Sequence, residues 1–328
     1  MNITTTASAI DAAPKRTISN TLAGIDWRRY VIYIGFVVVF IFFAILLGDQ
    51  GFLSTTNLLN ILRQTSTIMV IAVGMTYVIS AAEIDLSVGS VAGLSSVVTA
   101  MTISAFGVVP GIAAGLVVGV VVGGINGTLV SLLGIPSFLV TLGMLGVAVG
   151  TAQWITNSAP QPILSEAFNN IFGSGNIGPV PSLVIWAAVF VAAGTIVLAR
   201  TKFGRQVLAT GGNRKAADFT GINTKRIKFT VLLLSGVIAS IAGMLYAGRL
   251  QSGRFQWGDG DELSAIAAVI LGGTSLFGGS GTVIGTMFGA LLIGLINNGL
   301  VLAGLESSQQ QIVRGAIIIL AVALARRK

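Results

Sequence analysis

Residues 119–143 read GVVVGGINGTLVSLLGIPSFLVTLG and contain no charged side chain. Similar apolar stretches recur along the 328-residue chain, in which 54% of residues are hydrophobic, 9% are charged and the mean hydropathy is +0.91. A soluble domain has about 25% charged residues, so this chain has too few charges to cover a water-facing surface. A helix of about 20 apolar residues crosses a hydrocarbon layer about 30 Å thick. The sequence therefore predicts an all-α membrane protein.

The apolar stretches predict about ten transmembrane helices. The first is an uncleaved anchor, because no cleavage site of small residues follows its apolar run. The eighth is short and runs into LGGTSLFGGSGT (271–282), which is typical of a broken or re-entrant helix that must be buried in protein. The ten segments cover residues 30–47, 62–81, 86–106, 111–133, 138–155, 182–199, 229–250, 263–277, 282–303 and 311–325.

The positive charges predict the orientation of the chain. Most of the 19 lysines and arginines lie in three places, an N-terminal tail (1–29), a loop (200–228) and the C-terminus (326–328). The positive-inside rule places all three in the cytoplasm. Residues 30–199 then form the first transmembrane half together with the sixth helix, and residues 229–325 form helices seven to ten.

A sequence similarity within the chain predicts an internal repeat. Residues 119–143 and 289–315 share an Ile-Asn pair, a following Gly and a Leu-x-Gly turn. A weaker similarity relates residues 85–93 to residues 262–273. Matching spans are five apart, an odd number, so the two halves would face opposite ways as an inverted five-helix repeat. Alternatively, glycine-rich apolar helices resemble one another by chance.

The residue types that are missing exclude several function classes. The chain contains no His and no Cys, which removes the usual zinc, haem and iron–sulfur ligands and every catalytic triad that uses His. We therefore expect no metal site and no enzyme activity. The net charge of +8 lies in loops and termini rather than in a surface stripe, so we expect no nucleic-acid partner.

Glycines spaced four residues apart form two stripes, each along one face of a helix. Such stripes allow helix backbones to approach closely in lipid, so we predict helix packing there rather than ligand binding. The stripes consist of Gly111, Gly115, Gly119 and Gly123, and of Gly281, Gly285 and Gly289.

A few polar residues inside or beside apolar spans are candidates for a translocation path. An amide in a span needs a partner, which is either another helix or a hydrated solute path. A carboxylate near the membrane is also costly, and we expect no basic partner for Glu83 or Asp85. Asp85 could instead cap the third helix. The predicted path residues are Asp85, Ser87, Asn126, Asn297 and Asn298.

The basic loop at residues 200–228 is too long for a tight turn. Within it, residues 215–222 predict a short helix ended by Gly221, with Phe219 on one side. Such a helix can insert into a partner's groove. The alternative is a solvated basic loop that sets topology and contacts anionic lipid headgroups.

Taken together, these motifs resemble the permease subunits of ribose/xylose/arabinose-type ABC importers, the binding-protein-dependent inner-membrane components. The resemblance covers residues 30–325. Glu83 departs from the family, which usually has Gly there, so a path role for that position is in doubt. The motifs that carry the resemblance are NLLNILRQTS (57–66), GMTYVISAAEIDLSVGS (74–90), IPSFLVTLGM (135–144), FGRQVLATGGNRKAADFTGI (203–222) and ELSAIAAVILGGTSLFGGSGTVIGT (262–286).

The resemblance implies a homodimeric or heterodimeric permease of the bacterial inner membrane that carries a pentose, hexose or similar polyol inward. It implies a cytoplasmic ABC ATPase that holds ATP and Mg²⁺, and a periplasmic or lipid-anchored sugar-binding protein. This chain has no G-x-x-x-x-G-K-[ST] loop of its own. The segment that resembles the ATPase-coupling helix contains Asn213, Ala216, Ala217, Gly221 and Ile222.

An ion-coupled secondary transporter of a small polar solute is the alternative, since an inverted repeat also suits that class. It would need a carboxylate near the middle of the membrane. The sequence places none at that depth.

Overall fold

The computed structural model describes residues 31–325, so the predicted tail (1–29) and C-terminus (326–328) lie outside the described residues. The described part is mostly helical, with four two-residue strands, and β1 pairs with β4 while β2 pairs with β3, both antiparallel. The elements are α1 (Val31–Leu46), α2 (Thr55–Ser80), α3 (Val88–Phe106), α4 (Val108–Ser131), α5 (Ser137–Thr156), β1 (Gln161–Pro162), α6 (Glu166–Phe172), β2 (Asn176–Ile177), β3 (Val180–Pro181), α7 (Ser182–Arg200), α8 (Lys202–Gly212), α9 (Arg214–Phe219), α10 (Thr224–Leu250), β4 (Ser252–Gly253), α11 (Asp261–Leu271), α12 (Val283–Leu302) and α13 (Ser307–Ala325).

Seven of the described helices, α2, α3, α4, α5, α7, α10 and α12, are long and apolar enough to cross a membrane. A shorter apolar helix covers residues 32–46. The chain thus folds as a multi-helix membrane protein whose apolar side chains are exposed on the outer faces of α4 and α5.

The eighth predicted segment, 263–277, has a different form in the structure. Helix α11 has 11 residues, and at about 1.5 Å per residue it spans about half of the hydrocarbon layer. It ends at Leu271 because Gly273, with a φ of 88°, turns the chain out of the helix. The predicted end at residue 277 is therefore wrong.

Helices α4 and α10 pack backbone against backbone at glycines. A Cβ atom at Gly119 would lie 2.5 Å from the carbonyl oxygen of Gly236, and one at Gly236 would lie 2.5 Å from that of Gly119. A Cβ at Gly123 would lie 2.9 Å from the carbonyl oxygen of Leu232. Only hydrogen fits at these positions, so the two helices approach as closely as backbones allow.

The other glycines of the two stripes also lie against neighbouring elements. Added Cβ atoms at Gly111 and Gly115 would meet side chains of α3, at Ile103 and Thr99. In the second stripe, added Cβ atoms would meet Ser80 from Gly281, the Gly272 carbonyl from Gly285 and the Ala268 carbonyl from Gly289. Both stripes therefore face protein.

The segment between α10 and α11 runs back along α3. The Ser96 hydroxyl lies 3.1 Å from the backbone oxygen of Arg254 and 3.1 Å from its backbone nitrogen. Further along, Gly258 packs against the backbone of Gly89. Helix α11 consequently begins beside the first turn of α3.

The end of α2 meets two glycine-rich segments. The Gly279 N–H donates to the Ser80 carbonyl at 3.0 Å, and a Cβ at Gly278 would lie 2.9 Å from the Gly211 carbonyl oxygen. The segment after α11 and the end of α8 therefore lie at the same end of the molecule, next to α9.

We predict that the fold needs the close glycine contact between α4 and α10 for its full stability. Gly119→Ala places a methyl group against the Gly236 backbone and should destabilise the fold by about 1–3 kcal/mol, the usual cost of overpacking. The matched control is Gly124→Ala on the same helix, where an added Cβ meets nothing within 4 Å. Thermal unfolding of the detergent-purified variants measures the difference. Equal midpoints for the two variants would contradict the packing argument.

Candidate functional site

The basic loop contains two helices rather than the single short helix predicted at residues 215–222. Helix α8 begins at the Thr201 side chain, which accepts from the Gly204 N–H at 3.2 Å, and it buries Val207. Helix α9 follows after Asn213. The last residues assigned to the loop form the first turn of α10, where the Asn223 side chain accepts from the Arg226 N–H at 2.9 Å.

The residues predicted for ATPase coupling lie in helix α9 or directly beside its two ends. The Asn213 side chain caps it by accepting from the Ala216 N–H at 3.0 Å. Ala217 is 4% exposed and packs inward, whereas Ala216 lies on the exposed side. The Phe219 side chain is 91% exposed. Helix α9 therefore presents a small residue and an aromatic ring outward.

Gly221 ends this segment with a φ of 82°, a conformation that glycine adopts without strain. The following Ile222 N–H donates to the Ala217 carbonyl at 3.1 Å, as in a Schellman C-cap. An added Cβ at Gly221 would meet nothing within 4 Å. Glycine is needed here for the backbone turn rather than for space.

One side-chain contact ties α9 to α10, and a second ties α10 to the α2–α3 loop. The Asp218 carboxylate accepts from the Thr224 hydroxyl at 2.7 Å, which ties α9 to the start of α10. One turn later, Lys228 forms an ion pair with Glu83, whose side chain is 6% exposed. The expectation that Glu83 has no basic partner is wrong, because folding brings the α2–α3 loop against the first turns of α10.

Three predicted path residues form one buried polar cluster. The Asp85 Oδ1 atom accepts from the Ser87 N–H at 2.9 Å and from the Ser87 hydroxyl at 2.6 Å. The Asn126 amide donates to the Ser87 hydroxyl at 3.0 Å. Within the described residues, the Asn126 Oδ1 atom has no hydrogen-bond partner although Asn126 is 1% exposed. The cluster thus keeps one buried acceptor free.

Burial raises the pKa of the Asp85 carboxyl, and the hydrogen bonds from Ser87 partly oppose that rise. These bonds come from the residue before α3 rather than from its first-turn N–H groups. Ser87, the residue that precedes α3, makes no side-chain capping hydrogen bond. Asp85 therefore organises the loop before the helix instead of capping α3 directly.

Sequence reasoning missed two residues that hold this loop. The Ser137 hydroxyl accepts from the Ile84 N–H, and the Thr141 hydroxyl accepts from the Leu86 N–H, both at 3.0 Å. Ser137 and Thr141 stand four apart at the start of α5, so they lie on one face of that helix. This spacing in IPSFLVTLGM was the available signal.

The other two predicted path residues lie elsewhere. The side-chain amides of Asn298 and Asn57 bond reciprocally at 3.0 and 2.9 Å, the arrangement of an interhelical clamp. Asn297 is partly exposed beside it. Asn57 and Ser80 are at opposite ends of α2, about 35 Å apart by helix rise. The five residues therefore form two separate groups.

Two cavities lie away from α9. The larger, about 770 Å³, lies between α6 and the start of α7 and is lined by none of the predicted site residues. The smaller, about 110 Å³, lies between α3, α5 and the segment that leads into α11. Its lining is more polar in character, with two carboxylates and an amide.

Comparison with known proteins relates the chain to transport proteins. The ribose import permease protein RbsC of Escherichia coli strain K12 is 41% identical over 285 residues, which cover 85% of this chain and 88% of the relative. The D-allose transport system permease protein AlsC of the same strain is 37% identical, covering 92% of each chain. The L-arabinose ABC transporter permease protein AraH of Azospirillum brasilense is 38% identical, covering 88% of this chain and 86% of the relative. No solved structure matches.

The family model described as "Branched-chain amino acid transport system / permease component" matches residues 57–322. The match extends from the first turn of α2 into α13 and includes α9 and the Asp85 cluster. The chain belongs to this family of transport permeases.

Proposed function

We propose that this chain is the membrane-spanning permease subunit of an ATP-driven ABC importer that carries a monosaccharide into the cytoplasm. The observation that carries the proposal is similarity over most of the chain to permeases named for ribose, D-allose and L-arabinose. These three sugars share one chemistry, a small ring with several hydroxyl groups. The chain is a transport subunit and not an enzyme, since ATP hydrolysis belongs to a separate ATPase subunit that we propose holds ATP and Mg²⁺.

The exposed surface of α9 supports docking of the ATPase. Helix α9 lies in a basic stretch, and Phe219 projects from it almost free of the rest of the chain. A capped helix with an exposed ring fits a hydrophobic groove on a partner. A periplasmic or lipid-anchored sugar-binding protein would dock at the opposite end, and a second permease chain, identical or related, would complete the complex.

The proposed topology is a multi-pass protein of the bacterial inner membrane with ten spans and both termini in the cytoplasm. The basic residues around α8 and α9 support a cytoplasmic position for that end. One pair of matching segments supports an inverted repeat. Asp85-Leu86-Ser87 precedes α3, Glu262-Leu263-Ser264 begins α11, and these two helices start beside each other.

The proposed path includes Asp85, Ser87 and Asn126, because the free Oδ1 atom of Asn126 can accept from a solute hydroxyl. Asn297 remains a candidate path residue, because its amide side chain is partly exposed. Asn298 is better explained as half of the clamp with Asn57. Lipid would cover the exposed apolar faces of α4 and α5.

The ion-coupled alternative is not favoured, because the relatives named above are import or transport-system permeases and the L-arabinose permease among them is named as part of an ABC transporter. We expect cells with the complete transporter to take up labelled sugar when ATP is supplied, even after an ionophore dissipates the ion gradients. Uptake that stops with the ionophore and persists after ATP depletion would contradict the proposal.

We predict that Phe219→Ala weakens binding of the ATPase subunit, with about tenfold less ATPase recovered when the permease is purified from native membranes. Loss of a large aromatic anchor at an interface has an effect of this size or greater. The matched control is Phe106→Ala, because Phe106 is also exposed, at 76%, but ends α3. Equal recovery of ATPase from both variants would argue against docking at α9.

We also predict that the ion pair between Glu83 and Lys228 stabilises the fold as a unit. Lys228→Met leaves a buried, unpaired carboxylate and should destabilise the protein by about 3–5 kcal/mol. Adding Glu83→Gln to that variant removes the orphaned charge and should restore most of the loss. The exposed Lys225 on the same helix supplies the control, Lys225→Met. A double variant as unstable as Lys228→Met alone would show that the two residues are not coupled.

A further inference from the structure

The smaller cavity is lined by polar, acidic and aromatic side chains. Its wall is formed by α3, α5, the segment before α11 and the first turn of α11. Carboxylates accept hydrogen bonds from hydroxyl groups, the amide of a Gln both donates and accepts, and an aromatic ring packs against C–H groups. The lining residues are Ser90, Leu145, Val149, Phe255, Gln256, Asp259 and Glu262.

These polar groups are not paired with one another or with a cation. Within residues 31–325, no side chain hydrogen-bonds to or forms an ion pair with Gln256, Asp259 or Glu262. Glu262 is half-buried, and its Oε2 atom lies against Gly89, where an added Cβ would be 2.5 Å away. Among the described residues, the Glu262 carboxylate accepts only from backbone N–H groups, those of Glu262 itself and of Gly260. Its remaining lone pairs can accept from a hydroxyl-rich solute, which supplies donors without adding charge.

Two helix ends lie beside the cavity. Helix α3 begins at Val88, two residues before Ser90, and has no side-chain capping hydrogen bond, whereas at the start of α11 the Asp261 N–H already donates to the Gly258 carbonyl at 3.0 Å. The first N–H groups of a helix have no partner within that helix. Donors and acceptors are thus present together, which suits a hydroxyl group because it both donates and accepts.

A line of hydrogen bonds leads from this cavity to the Asp85 cluster. The Ser90 hydroxyl donates to the Ser87 carbonyl at 2.8 Å, and the Ser87 hydroxyl in turn bonds Asp85 and Asn126. The free Oδ1 atom of Asn126 lies within this cluster. The cavity and the cluster therefore form successive polar positions along the start of α3.

The size of the cavity fits one small sugar. A volume of about 110 Å³ is about seven to eleven times the roughly 10–15 Å³ that one water-sized probe occupies. That is close to the about ten non-hydrogen atoms of a pentose. Leu145 and Val149 of α5 add apolar side chains to the lining.

We infer that this cavity is a transit site where the permease holds one monosaccharide, with Gln256, Asp259 and Glu262 bonding its hydroxyls and Phe255 covering its C–H face. This inference rests on the proposed function and adds the location and chemistry of the site. Gln256 and Asp259 are exposed, so the site is open on that side and a sugar can enter and leave.

The test is uptake of a panel of labelled pentoses and hexoses, including D-ribose, D-allose and L-arabinose, by cells with the complete transporter. Glu262→Gln keeps the shape of the side chain and removes its charge. Gln256→Ala removes the amide. The matched control is Glu166→Gln, because Glu166 is also a first-turn glutamate, in α6, and lies outside the cavity. Recovery of the permease and of the co-purified ATPase subunit shows whether each variant is assembled.

We expect Glu262→Gln to lower sugar uptake about tenfold, as loss of a hydrogen bond to a charged group does, and Gln256→Ala to lower it about fivefold, because its amide is neutral. Both variants should change the ratio of uptake among the sugars. Assembly and the uptake by Glu166→Gln should match the unmodified chain. Normal uptake of every sugar by both cavity variants would overturn the transit site and leave the proposed function intact. Loss of assembly in both would also overturn it, since the residues would then be structural. Uptake of no sugar by the unmodified transporter would overturn the proposed function itself.

Discussion

The backbone contact between α4 and α10 is the constraint on which the rest of the structure depends. In lipid, apolar side chains gain nothing by leaving solvent for a neighbouring helix, so helices associate through close packing and hydrogen bonds. Gly119 and Gly236 permit that packing because each faces the other's carbonyl oxygen. Helix α10 fixed in this way carries Lys228 at one end and leads into the segment that folds back along α3 at the other. The α9 helix, the Asp85 cluster and the sugar-sized cavity all take their positions from it.

Much of the helical architecture could be predicted from sequence, because lipid imposes a length and an apolar composition that a single chain reveals directly. Helix α8 could not, because it combines Lys202 and Arg205 with three glycines and has no long apolar run. The end of α11 was placed too late for a related reason. Leu276 and Phe277 continue the apolar pattern, while the turn is decided by the backbone conformation of Gly273.

The polar residues in the apolar spans show a second limit of prediction from sequence. Their presence in apolar stretches was visible, but most of their partners were not, because those partners are distant in the chain. Asn298 finds Asn57, and Glu83 finds Lys228. The amide that pairs and the amide that keeps a free oxygen look alike in sequence, so Asn126 and Asn298 were assigned one role. Only the folded structure shows that Asn298 lies at the start of α2, whereas Asn126 lies beside the loop that follows α2.

The small-residue pattern at α9 was more informative. Asn213 and Gly221 cap this helix through contacts with residues close to them in the chain, so a short stretch of sequence is enough to predict both caps.

The short length of α11 has a consequence for how the protein is made. A helix of 11 residues preceded by Asp259 and beginning with Asp261 and Glu262 is too short and too polar at its start to enter a bilayer by itself. It packs against α2, which is synthesised much earlier, and against α12, which directly follows it in the chain. The first half of the chain can therefore be inserted as it emerges from the ribosome, whereas the stretch around α11 must wait for a prefolded template. The two halves thus differ in their biogenesis, with the earlier one acting as scaffold for the later.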